Sequence, residues 1–210
     1  MNLEIIIKVL ATVVVAVAAF SCAAYLNRFA RERTKPSLPV TAILLIGVTA
    51  LITGLQFIFP EVLTAFRRNR EALLAGEWWR MVTPLFVQAA GWPQAFINGV
   101  FMIILCPLAE KLYRKRLLAL YFIPGVLGEI FGYLWWPNFA GSSLGIAGVM
   151  GSLFAFTFFH RREMCKPALA FAIVGIAGAV ALCSVRDTHG PPILIGFLLA
   201  RLMMIQVATG

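Results

Sequence analysis

The chain alternates long apolar runs with short polar connections. Seven runs stand out, at 5–26, 41–60, 94–112, 117–136, 145–160, 167–184 and 191–208. A helix that crosses a bilayer needs about 20 mostly apolar residues, so the pattern predicts an all-α polytopic membrane protein. The first run begins with Glu4 and Lys8 rather than a basic cluster, and the basic residues Arg28, Arg31, Arg33 and Lys35 follow it. That order predicts a retained helix with its N-terminus outside, not a cleaved leader.

Composition agrees. Of 210 residues, 61% are hydrophobic and 13% charged, with mean hydropathy +0.89. Soluble domains are about 45–50% apolar and roughly 25% charged. These values exclude disorder, collagen, a coiled coil and a secreted disulfide scaffold. Cys22, Cys106, Cys165 and Cys183 show no metal-ligand spacing, so neither a metal nor another cofactor is expected.

The net charge is +9. The basic residues fall between apolar runs, which sets orientation and does not suggest nucleic acid. Arg28, Arg31, Arg33, Lys35, Lys111, Arg114, Lys115, Arg116, Arg161, Arg162 and Lys166 lie on one side, and Arg67, Arg68, Arg70, Arg80 and Arg186 on the other. The richer side is assigned to the cytoplasm of a bacterial-type plasma membrane. The 61–93 connection is longer than a helix link needs. It mixes Trp78, Trp79 and Trp92 with arginines and glutamates, which predicts a segment lying in the interface and forming a lid or lateral wall beside a site.

The run Gly76-Glu77-Trp78-Trp79-Arg80-Met81-Val82-Thr83-Pro84-Leu85-Phe86 resembles the first-loop signature of the rhomboid intramembrane serine proteases. Gly91-Trp92 followed by Asn98, and Glu110 followed by Arg114 and Arg116, resemble later segments in the same order. Gly145-Ile146-Ala147-Gly148 resembles the family's Gly-x-Ser-Gly at the head of its fourth core helix. The resemblance implies a six-helix core at 41–210, preceded by an extra transmembrane helix and basic loop at 1–40. It implies a serine attacking a peptide carbonyl, a histidine base on the last core helix and an oxyanion site on the second. It also implies partners in the bilayer: transmembrane helices, as substrates or clients.

In this alignment Ala147 holds the nucleophile position, and a methyl group cannot attack a carbonyl. Gln94 and Asn98 share a helix face and form a candidate oxyanion hole. Gln88 stands where the family often has histidine. His189 is the candidate base, with Asp187 beside it. Gly145, Gly148, Trp79 and Arg80 are motif positions. Ser142 or Ser143 is expected to cap the fifth apolar run, and Ser152 to serve close packing. Lys8 and Arg201 lie within spans, as does Glu129; Glu129 is about 10 Å deep and Arg201 about 15 Å deep, and a buried pair between these two is expected.

Three functions follow. One is a non-catalytic binder of transmembrane helices, or a protease whose serine has been substituted. Another is an active peptidase using Ser143 with His189. The third is a small transporter, for which the spans hold few polar residues beyond those named.

Overall fold

The computed structural model describes residues 3–33 and 37–208; Lys35, counted among the cytoplasmic charges, lies outside them. The described residues are all-α. Seven long helices are α1 (Leu3–Arg33), α2 (Val40–Ile58), α5 (Gly91–Tyr113), α6 (Leu117–Trp135), α7 (Ser143–Phe159), α8 (Lys166–Ser184) and α9 (Gly190–Ala208). Two short helices, α3 (Pro60–Phe66) and α4 (Arg70–Leu74), lie between α2 and α5. Helices α1, α2 and α8, and the 45-residue α5–α6 stretch, are long and apolar enough to cross a membrane. Helix α7 has 17 residues, a shorter apolar helix at the centre of the bundle.

Helix α1 shows how sequence sets its place. Ala11, Val15, Ala18, Cys22, Leu26 and Ala30 recur every three or four residues and are buried. Val9 and Val17 point outward. The inward stripe is mostly small, so α1 approaches α8 closely; Gly178 of α8 leaves room for the Val15 side chain. The Cys22 thiol donates to the Ala168 carbonyl at 3.5 Å. At its other end α1 forms an Arg33–Glu163 ion pair with the connection after α7.

Helix α2 starts without a side-chain cap of its own. Glu110 of α5 supplies one, its carboxylate accepting from the Thr41 and Ala42 amides at 3.1 and 2.7 Å. The helix stops at Ile58 because Phe59 is extended ahead of Pro60, as a residue before proline prefers to be.

Helix α7 is buried at nearly every position from Leu144 to Ala155. Apolar residues all round mark a helix enclosed by protein. Its glycines set the distance of its neighbours. A Cβ on Gly145 would strike the Tyr121 ring of α6, one on Gly148 would lie 2.6 Å from the Leu120 carbonyl, and one on Gly151 2.9 Å from the Phe197 amide of α9. Buried Ser152 donates to the Val149 carbonyl, and its own carbonyl accepts from Tyr113.

The 61–93 segment is folded by arginines. Arg80 is buried, pairs with Glu77 and donates to the Thr64 and Arg67 carbonyls at 2.9 and 2.7 Å. Trp79 next to it is exposed, as are Trp78 and Trp92, and Trp92 stacks on Phe57 at 3.8 Å. Arg68 enters the bundle and meets Glu129 of α6 at 2.7 Å. This corrects the expected Glu129–Arg201 pair. Gly128 packs on Pro192 of α9, and Glu129, about 100° further round α6, is turned from that contact toward Arg68. Arg201 is exposed and lies over the Phe159 ring at 4.4 Å.

Candidate active site

Ser143 is the first residue of α7. His189 immediately precedes α9. The turn between α8 and α9 brings them together. Arg186 takes a positive φ of 51° after the end of α8, and the Asp187 amide then donates back to the Leu182 carbonyl at 2.9 Å. The reversal leaves Asp187 buried and His189 directed at the head of α7.

The contacts form a chain. Ser143 Oγ lies 3.0 Å from His189 Nε2. His189 Nδ1 lies 2.6 Å from Asp187 Oδ1, which also accepts from the His189 backbone amide at 2.9 Å. With Nδ1–H donating to the carboxylate, Nε2 is free to accept from the serine hydroxyl. The second carboxylate oxygen, Oδ2, pairs with Lys8 Nζ of α1 at 3.0 Å. Burial acts to raise the Asp187 pKa, but the hydrogen bonds and charge of His189, with the Lys8 contact, outweigh it. The carboxyl is held well below the usual range, so it stays ionised at neutral pH.

A second network lies beside this one. The Gln88 amide donates to Gln56 Oε1 at 2.8 Å, and Gln56 Nε2 donates to the Gln88 carbonyl at 2.9 Å. Gln88 Nε2 donates to Ser142 Oγ at 3.0 Å, and Asn98 Nδ2 donates to Gln88 Oε1 at 2.8 Å. Gln94 bridges the Ala90 amide and the Ala140 carbonyl. Ser142 holds the N-cap position of α7, yet its side chain makes no capping bond; it is engaged by Gln88 instead.

Ser143, His189, Gln94, Asn98 and Ala147 all line one cavity of about 400 Å³. Ala147 lies one turn beyond Ser143 and presents only a methyl group. The hydroxyl that meets His189 is therefore four residues before the position expected from the sequence. Thr12, Val13, Val15 and Ala16 of α1 wall the same cavity, whereas the 61–93 segment contributes Ala90. The expected lateral wall is thus mainly α1. Among the described residues no cluster of His, Cys, Asp or Glu could hold a metal ion. Lys8 was missed as a site residue by sequence reasoning. Its signal was available: a charge in the early turns of an apolar run calls for a partner.

A family model, the Rhomboid domain, matches residues 75–205. The chain belongs to the rhomboid family. It is 31% identical over 118 residues to the putative rhomboid protease YdcA of Bacillus subtilis (strain 168), covering 54% of this chain and 58% of that protein. It is also 31% identical over 109 residues to the rhomboid protease GluP of the same organism, covering 50% of this chain and 21% of that one. The matches thus span little more than half of one rhomboid relative and a fifth of the other. The rhomboid domain includes Trp79, Arg80, Asn98, Ser143 and His189; α1, with Lys8, lies before it.

Proposed function

We propose that the protein is an intramembrane serine peptidase whose nucleophile is Ser143 and whose base is His189. The observation that carries this reading is the 3.0 Å contact between Ser143 Oγ and His189 Nε2, continued by Asp187 on Nδ1. Nucleophile, base and orienting carboxylate within hydrogen-bond reach are the mark of an activated serine. Gly141-Ser142-Ser143 also carries the family's Gly-x-Ser spacing, one helical turn ahead of Gly145-Ile146-Ala147. This reading replaces the expectation of an inactive chain with Ala147 at the nucleophile position.

The steps follow from the geometry. His189 Nε2 takes the Ser143 proton as Oγ attacks the carbonyl carbon of a peptide bond. Asp187 holds the imidazole in the productive tautomer and stabilises the imidazolium. Negative charge collects on the former carbonyl oxygen. The first N–H groups of α7 have no acceptor within the helix, and the helix dipole favours an anion there. The side-chain amides of Asn98 and Gln94 line the same cavity and supply further donors. The protonated imidazole then gives its proton to the leaving amine as the C–N bond breaks. Water attacks the acyl-enzyme with His189 again as base, releasing the acid and restoring Ser143.

The substrate class is a transmembrane or membrane-proximal peptide, because the cavity is largely apolar and is walled in part by apolar helices long enough to cross a membrane. The N-terminus of α1, Ser143 and His189 lie at the same end of the bundle. Under the excess of basic residues at the opposite end, this end faces outside. Reconstitution in lipid vesicles with a tagged single-span substrate tests the proposal. Cleavage that is abolished by Ser143→Ala and by His189→Ala supports it; cleavage that survives Ser143→Ala contradicts it.

A further inference from the structure

Asp187 is shared. One carboxylate oxygen is used by His189 through both its ring and its backbone amide; the other is used by Lys8. Lys8 belongs to α1, outside the matched rhomboid domain. Its ammonium also lies over the Trp136 ring at 4.7 Å, so it is held from two sides. A lysine in an apolar helix is costly unless it is paired, and this one is paired with the carboxylate that aligns the candidate base.

We propose that Lys8 is a positioning residue for the Ser143–His189 reaction, fixing the Asp187 carboxylate so that the imidazole stays aimed at Ser143. The proposal rests on the reading of Ser143 as the nucleophile. The added helix is then part of the catalytic unit and not only an anchor. Two further features of α1 agree. Its residues Thr12, Val13, Val15 and Ala16 wall the cavity that holds Ser143, and Val15 also packs on Gly178 of α8. Without Lys8, Oδ2 loses its partner and the carboxylate can rotate about its side chain. Misalignment of a reacting group on the ångström scale is enough to cost on the order of a hundredfold in rate.

Cys183, at the end of α8, faces the Asp187 charge.

The test is the rate of Ser143 labelling by a fluorophosphonate, measured on the full chain in detergent. Lys8→Met is expected to slow labelling by roughly tenfold to a hundredfold. Lys8→Arg, which keeps the charge on Asp187, restores most of the rate. Arg28→Met, at the far end of α1, leaves the rate unchanged. A Lys8→Met protein that labels like wild type overturns the proposal, as does a Lys8→Arg protein as slow as Lys8→Met. A wild-type protein that does not label at all counts against Ser143 as the nucleophile. The Lys8 inference is then read separately, from the proton resonance of the His189 Nδ1–H bond in the Ser143→Ala protein. Lys8→Met in that background is expected to shift it upfield; an unmoved resonance overturns the proposal independently of activity.

Discussion

Arg68, from the connection between α3 and α4, passes its guanidinium into the bundle and binds Glu129 of α6 at 2.7 Å. Both side chains are almost fully buried, and Arg68 Nε also donates to the Trp136 carbonyl at 2.9 Å. The pair fastens the outer segment to the core. Breaking one partner of such a pair strands a charge in a site without water, at a cost of about 3–5 kcal/mol. Arg68→Met is therefore expected to lower the unfolding temperature markedly. Gly132→Ala does the same without touching either charge, because its methyl group would fall on the Arg68 guanidinium. Thermal unfolding in detergent checks both; an Arg68→Met protein as stable as wild type contradicts the account of the pair.

Asn98 joins the Gln88 network to the cavity that holds Ser143. Losing an oxyanion donor costs on the order of 10²–10³ in turnover. Asn98→Ala is expected to fall in that range, whereas Ser152→Ala, whose hydroxyl bonds only within α7, keeps nearly full turnover. Cleavage rates in vesicles at saturating substrate make the comparison. Equal rates for the two variants remove Asn98 from the oxyanion site.

Asp187 sets an acid dependence. Its carboxyl is held below its ordinary value of 3.8 in the folded protein. A group depressed on folding stabilises the protein fully above its unfolded value, and that stability is lost as pH falls from there toward the folded value. The stability gap between wild type and Asp187→Asn is therefore expected to be steady from neutral pH to about 5 and to shrink below about 4. Unfolding midpoints measured from pH 7 to pH 3 show this; a gap that widens in acid contradicts it.

The fold was legible because lipid imposes a length. Runs such as 117–136 and 167–184 match α6 and α8 within a residue or two, since nothing but a helix satisfies so many backbone groups away from water. The family was legible from Gly76–Phe86, where Arg80 now has a physical role as the tie among Glu77, Thr64 and Arg67. The candidate site was legible only in part. The sequence points to His189, Asp187, Asn98 and Gln94, and to Ser143 as the alternative to Ala147, because two Gly-x-x patterns one turn apart, Gly141-Ser142-Ser143 and Gly145-Ile146-Ala147, fit the same helix head. Spacing along one helix does not say which turn meets a residue from another. The Arg68–Glu129 and Lys8–Asp187 pairs were hidden for the same reason. Depth in the bilayer is readable from sequence, but the direction a side chain faces depends on how helices are rotated against one another.

The choice between the two helix-head positions rests on one reaction. The wild-type protein, Ser143→Ala, and Ala147→Ser in the Ser143→Ala background are treated with a fluorophosphonate, and the modified residue is located by mass spectrometry. Ser143 is expected to carry the adduct in the wild type, with no adduct in either variant. An adduct that persists in Ser143→Ala, or that appears on residue 147 once a serine is placed there, contradicts the assignment of Ser143 as the partner of His189.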